Sequence, residues 1–128
     1  MSVTGLPPYD DANILARILR GEIPCKKVHE DEHALAFHDI NPQTPVHVLV
    51  IPKGHYVSIA DFGAKASDAE LIGFWRAVSK VAKELGLEVK GYRALTNMGA
   101  DGGQEVSHFH VHLFGGRHIG RMVPKAEG

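Results

Sequence analysis

The stretch His108-Phe109-His110-Val111-His112-Leu113-Phe114 decides how the rest of the chain is read. Histidine stands at every second position. A β-strand turns alternate side chains to opposite faces, so His108, His110, His112 and Phe114 share one face and Phe109, Val111 and Leu113 the other. The second set is wholly apolar and belongs against a core. Three imidazoles then stand in a row, about 6–7 Å apart, on a stiff backbone. Near neutral pH an imidazole can serve as nucleophile, acid, base or metal ligand.

Working outward, the Gly99–Gln104 segment reads as a flexible loop feeding a strand over 106–114, and Gly115-Gly116-Arg117 ends that strand. Upstream, 91–98 reads as a strand with Arg93, Leu95 and Asn97 on one face. A long helix is expected over 67–85. Ser67-x-x-Glu70 fits a capping box, and Leu71, Phe74, Trp75, Val78, Val81, Ala82 and Leu85 form one apolar stripe. His55–Asp61 is expected as a connection. Val46–Ile51 is a nearly continuous aliphatic strand whose single polar residue is His47. Before it, Pro42 and Pro45 mark a loop, and 25–30 with 34–39 form a hairpin turning at Asp31-Glu32. A short helix is expected at about 12–20, stopped by Gly21 and Pro24. Residues 1–11 read as a loose lead-in and 118–128 as a tail without pattern.

These elements predict an α+β fold: about five antiparallel strands with one long and one short helix, in a single domain over 1–128. The long helix covers the face bearing Phe109, Val111 and Leu113. The histidine face lies opposite and needs enclosure by the N-terminal helix or a second subunit.

Composition narrows the function. The 128 residues carry a formal net charge of −1 without a run of like charges, which argues against electrostatic binding of nucleic acid or a membrane surface. Cys25 is the only cysteine, so an intramolecular disulfide and a cysteine-based zinc cluster are excluded. The first residues lack a signal-peptide pattern and no apolar run approaches the ~20 residues of a membrane helix, so a cytoplasmic location is expected.

Three chemistries compete for the histidine row. It could be a solvated face. It could bind metal, since His-x-His on a strand suits zinc, with Asp39, Glu105 or another histidine completing the set. Or a histidine could attack phosphorus, giving a phosphoimidazole that water can open, with neighbouring imidazoles moving protons. The Gly102-Gly103 loop favours the last, because glycines let main-chain N–H groups approach an anion beside the nucleophile.

The run from Gly102 to Arg117, with His-x-His-x-His and apolar spacers, resembles the motif of the histidine-triad (HIT) superfamily. Asp39–Pro52 resembles the upstream signature of its Hint branch, and Gly21-Glu22-Ile23-Pro24 and Gly91-Tyr92-Arg93 fit too. The likeness spans about Asn13 to Arg117. It implies a purine nucleoside phosphoramidase that needs no cofactor or metal and forms a homodimer with one sheet continued across the two-fold. His110 would be the nucleophile attacking the α-phosphorus of a nucleoside 5′-phosphoramidate. His112 or a phosphate-relayed proton would serve the leaving amine, and His47 and His108 would orient the nucleophile. Asn97, Gln104 and main-chain N–H groups near Val106 would hold phosphate oxygens, and Asp39 would accept from the ribose hydroxyls. Ile14, Leu15, Ile18, Phe37, His38, Ile40 and Leu49 would wall the purine pocket.

Glu105 stands where some members have a serine, and a carboxylate facing phosphate would repel it, so Glu105 is expected to turn away. Ser107 replaces a common aromatic. The alternatives are a dinucleoside polyphosphate hydrolase or nucleotidyl transferase of the same superfamily, and a nucleotide-binding interaction module with incidental turnover.

Overall fold

The computed structural model describes residues 3–124. The chain begins with helix α1 (Ile14–Leu19), started where the Asn13 side chain accepts from the Ala16 N–H at 2.9 Å. Strands β1 (Lys27–Glu30) and β2 (Ala34–His38) pair as the expected hairpin. Its turn is held by Asp31, whose Oδ1 accepts from the N–H groups of His33 and Ala34 at 2.8 and 2.9 Å. Strand β3 (Val46–Pro52) is followed by α2 (Ile59–Lys65) and α3 (Asp68–Glu84). Strand β4 (Arg93–Leu95), the short α4 (Gly99–Gly102) and β5 (Val111–Gly115) complete the order. The five strands form one antiparallel sheet in the order β1-β2-β3-β5-β4.

Alternation sorts the residues of β3 and β5 to the two faces. Val48, Val50, Val111 and Leu113, with Ala34 and Ala36 of β2, meet Phe74, Ala77, Val78, Val81 and Ala82 of α3 in the main core. Phe109 joins them, its ring 4.7 Å from Phe62 and 5.2 Å from Phe74. On the other face, Leu35, Phe37, Leu49 and Ile51 pack against Leu15 of α1. The N-terminal helix thus encloses part of the histidine face, while α3 covers the opposite one.

Four expectations change. The connection read at His55–Asp61 contains the start of α2, and its signal was present: Ser58 and Asp61 form a reciprocal capping box. The loop at 99–104 includes the single turn of α4. Trp75 leaves the α3 stripe and is 44% exposed, because the helix turns Phe74, Ala77 and Val78 inward instead. Strands β4 and β5 are shorter than the strands expected over 91–98 and 106–114. Gly91, at φ +93°, precedes β4, and α4 starts soon after it. The segment 106–110 runs beside 52–56, where the Phe109 N–H donates to the Tyr56 carbonyl at 2.8 Å, and joins the sheet only from Val111.

The N-terminal segment, expected to be loose, is held in place. Gly5 is buried and its carbonyl accepts from the Ser58 hydroxyl at 2.6 Å. The tail has no regular element up to Pro124, and residues 125–128 lie outside the described residues.

Candidate active site

The site grows from two adjacent strands. His47 of β3 pairs with Phe114 of β5, and Leu49 with His112. The rings of His47 and His112 therefore meet on one face, with His47 Nε2 2.9 Å from His112 Nδ1. The proline-bounded loop sets the direction of this bond. The Gln43 N–H donates to His47 Nδ1 at 3.1 Å, so the proton of a neutral His47 sits on Nε2. That Nε2–H donates to His112 Nδ1, and the proton of His112 is left on Nε2. Asp39 backs the pair, with its Oδ2 3.5 Å from His47 Nε2.

His110 is oriented separately. Its Nδ1 lies 2.7 Å from the His108 carbonyl, which can only accept, so Nδ1 carries the proton and Nε2 the lone pair. The His110 and His112 ring centres are 5.0 Å apart. His108 differs from the other two. Because β5 begins only at Val111, its ring leaves the row and is fully buried, with Nε2 donating to the Pro52 carbonyl at 3.0 Å and Nδ1 2.6 Å from the Tyr9 hydroxyl.

Burial lowers the pKa of all four histidines. His108 is brought to about 4 by desolvation, against the opposing bond to Pro52. Desolvation, with repulsion from His110 and His47, brings His112 to about 4 as well. His110 is lowered by burial, partly offset by the His108 carbonyl, Asp39 and Glu105. His47 is lowered by burial despite the opposing charge of Asp39. At neutral pH the site holds uncharged imidazoles, and a neutral His110 offers its lone pair for attack.

His110 and His112 line a cleft of about 220 Å³ with Asp39, His47, Leu49, Leu15, Asn97, Glu105 and Val106. Among the described residues the main-chain N–H groups of Glu105 and Val106 have no internal acceptor. A wider cleft, about 850 Å³, is bordered by His38, Ile40, Pro24, Cys25, Pro42 and Pro45, and shares Asp39 and His47 with the first.

Gln104, Phe37, Ile18 and Ile14 lie outside both clefts. Gln104 is buried behind the cleft: its Oε1 accepts from Gly99 N–H, and its Nε2 donates to the carbonyls of Val57 and Val106. Its amide is thus engaged at both ends and shapes the loop. Phe37 lies in the core beneath the sheet face, Ile18 packs against that core, and Ile14 is 44% exposed outside both clefts. Glu105 is exposed at the border of the narrow cleft, and its charge acts on His110. Sequence reasoning missed Pro24, Cys25, Lys26, Pro42 and Pro45 as walls of the wider cleft. The prolines were legible as loop markers, but nothing in their spacing told that the two loops meet.

Asp39, His47 and His112 are the one group among the described residues able to converge on a metal, their ligand atoms lying within 4.8 Å of one another. They do not fit one as they stand. Two nitrogens bound tetrahedrally to zinc lie about 3.3 Å apart with no proton between them, whereas His47 Nε2 and His112 Nδ1 share a proton at 2.9 Å.

The HIT domain family matches residues 20–119. An uncharacterized 13.2 kDa HIT-like protein of Azospirillum brasilense is 61% identical over 117 residues, covering 91% of this chain and 96% of that protein. A 14 kDa zinc-binding protein of Zea mays is 46% identical over 111 residues, 86% of each chain. Among solved structures, a HIT family hydrolase from Clostridium thermocellum superposes with a TM-score of 0.81 at 39% identity, over 90% of this chain and 99% of that one. A histidine triad protein from Clostridium difficile gives 0.73 at 40% identity, over 94% and 100%. The chain belongs to the HIT family, and its fold and domain are those of a HIT family hydrolase. Among the described residues no helix is long and apolar enough to cross a membrane.

Proposed function

We propose that the protein is a cytoplasmic, homodimeric hydrolase of purine nucleoside 5′-phosphoramidates, working through a nucleotidyl-histidine intermediate. The observation that carries this reading is the orientation of His110: a neutral imidazole with Nδ1–H tied to a carbonyl and Nε2 facing a cleft bordered by spare main-chain donors. The base occupies the wide cleft and the phosphate the narrow one, with the ribose at Asp39, which borders both. His38, Ile40 and the prolines supply the flat, weakly polar walls a purine needs.

His110 Nε2 attacks the α-phosphorus, forming a new P–N bond as the bond to the amine breaks. The positive charge left on the ring is shared with Nδ1–H and eased by the His108 carbonyl. The departing amine takes its proton by way of His112 or from a phosphate oxygen. Water then opens the intermediate: its oxygen bonds to phosphorus as the P–N bond to His110 breaks, and one of its protons returns to the group that protonated the amine, leaving nucleoside monophosphate and neutral His110. Asn97 and the N–H groups of Glu105 and Val106 steady the phosphate oxygens, and Gln104 acts behind them by holding the Val106 carbonyl. The dimer extends the sheet from β4, whose outer edge has no strand beside it among the described residues.

The deciding experiment is intact-protein mass after rapid acid quench with an adenosine phosphoramidate. An added nucleotidyl mass on His110 is expected, and its absence during turnover overturns the reading. Because no step runs through a metal, activity should survive exhaustive chelation. Loss on chelation with recovery on adding zinc would replace this mechanism with metal catalysis at Asp39, His47 and His112.

A further inference from the structure

We propose that the N-terminal strap is part of the catalytic support, and that Tyr9 is a positioning residue which aims His110 through His108. The inference rests on the nucleotidyl-histidine reading above. It begins from a gap in the sheet. His110 lies one residue before β5, so no strand ladder fixes the 108–110 backbone whose carbonyl orients the nucleophile. Side chains take over that task. The Thr96 hydroxyl donates to the His110 carbonyl at 2.7 Å, and the His108 ring is gripped at both nitrogens.

The grip has a fixed polarity. The Pro52 carbonyl can only accept, so His108 carries its proton on Nε2 and presents a lone pair at Nδ1. The Tyr9 hydroxyl, 2.6 Å away, is therefore the donor. His108 has no exposed surface, so without this hydroxyl a buried acceptor stands unpaired. Relief requires the ring or its backbone to shift, and the backbone carries the carbonyl that holds His110 Nδ1–H.

The strap is built to deliver Tyr9 there. The Tyr9 ring stacks on His55 at 4.7 Å, with 7° between planes, and meets His108 edge-on at 5.6 Å. Upstream, Gly5 lies so close to the loop before the histidines that a Cβ would come within 2.9 Å of Gly99 N and 3.0 Å of Gln104 Oε1. The same strap thus presses on the loop bordering the narrow cleft and on the residue that aims the nucleophile.

The test compares wild type with Tyr9→Phe, which keeps the stacking ring and removes only the hydroxyl. Single-turnover formation of nucleotidyl-His110 from an adenosine phosphoramidate is followed beside the dissociation constant for adenosine monophosphate. The ring nitrogens of His108 and His110 are read by ¹⁵N NMR without ligand. Tyr9→Phe should slow formation about ten- to a hundredfold, with nucleotide affinity held within about twofold, the signature of misplacement rather than lost binding. His110 should pass from a single Nδ1–H tautomer to a mixture. A variant with wild-type rate and tautomer overturns the proposal, as does one that loses rate and affinity in proportion. Should wild type itself form no adduct, the nucleotidyl reading falls, and the NMR comparison still decides whether Tyr9 governs His110.

Discussion

Replacing His110 by alanine should lower turnover of an adenosine phosphoramidate by about 10⁴-fold or more, the scale of losing a covalent nucleophile. Nucleotide binding should persist. His110 is one of several groups bordering the narrow cleft, and the wide cleft does not use it. The core should persist too, because the apolar layers are built from other side chains and His110 borders the cleft. Steady-state rates beside calorimetric binding of adenosine monophosphate check both halves. A variant that turns over within tenfold of wild type would remove His110 from the nucleophile's role. One that loses rate only as far as it loses binding would make His110 a ligand contact. Asparagine at 110 should be equally slow, since its amide can bond to the His108 carbonyl but offers no nitrogen lone pair to phosphorus.

The second large effect is acid instability. His108 and His112 titrate near 4 in the folded chain and near 6.5 once unfolded, because burial favours their neutral forms. Below pH 6.5 the unfolded chain binds more protons than the folded one, so stability must fall as pH falls. The loss starts near 6.5 and is complete only below about 4. A shift of this size corresponds to roughly 3 kcal/mol for the fully buried His108, with a smaller share for the half-buried His112. Urea midpoints measured between pH 7.5 and 4 should drop steeply. His108→Asn should start from a lower midpoint and show a shallower decline. A midpoint that stays level to pH 4.5 would mean that these rings are solvated, and the dry site described above would go with it.

Much of this was readable from the chain. Alternation at 108–114 and aliphatic content at 46–51 marked both site strands, and parity sorted Phe109, Val111 and Leu113 to the side of the long helix. The pairing of His47 with His112 is a tertiary fact and left no local trace. His108 was misplaced for a related reason: parity holds only inside a strand, and β5 begins three residues after it. Nothing near His108 announces that start. It is set by the Phe109 N–H finding the Tyr56 carbonyl, a contact far away in sequence. Gln104 and Tyr9 depart from expectation by the same logic. The amide beside the glycine loop is consumed by main chain, while a tyrosine in a proline-containing lead-in reaches the site. The α2 helix was the avoidable omission, since Ser58-x-x-Asp61 is local and visible.

β3 gives Val48 and Val50 to the core and His47 and Leu49 to the opposite face. A slip of one residue in its pairing would exchange those sets at a stroke. Every such misfolded copy would be inert, and would also drive the imidazole of His47 into the layer of aliphatic side chains under α3, where it finds no partner. For this chain, the cost of burying one lone imidazole doubles as a check on competence.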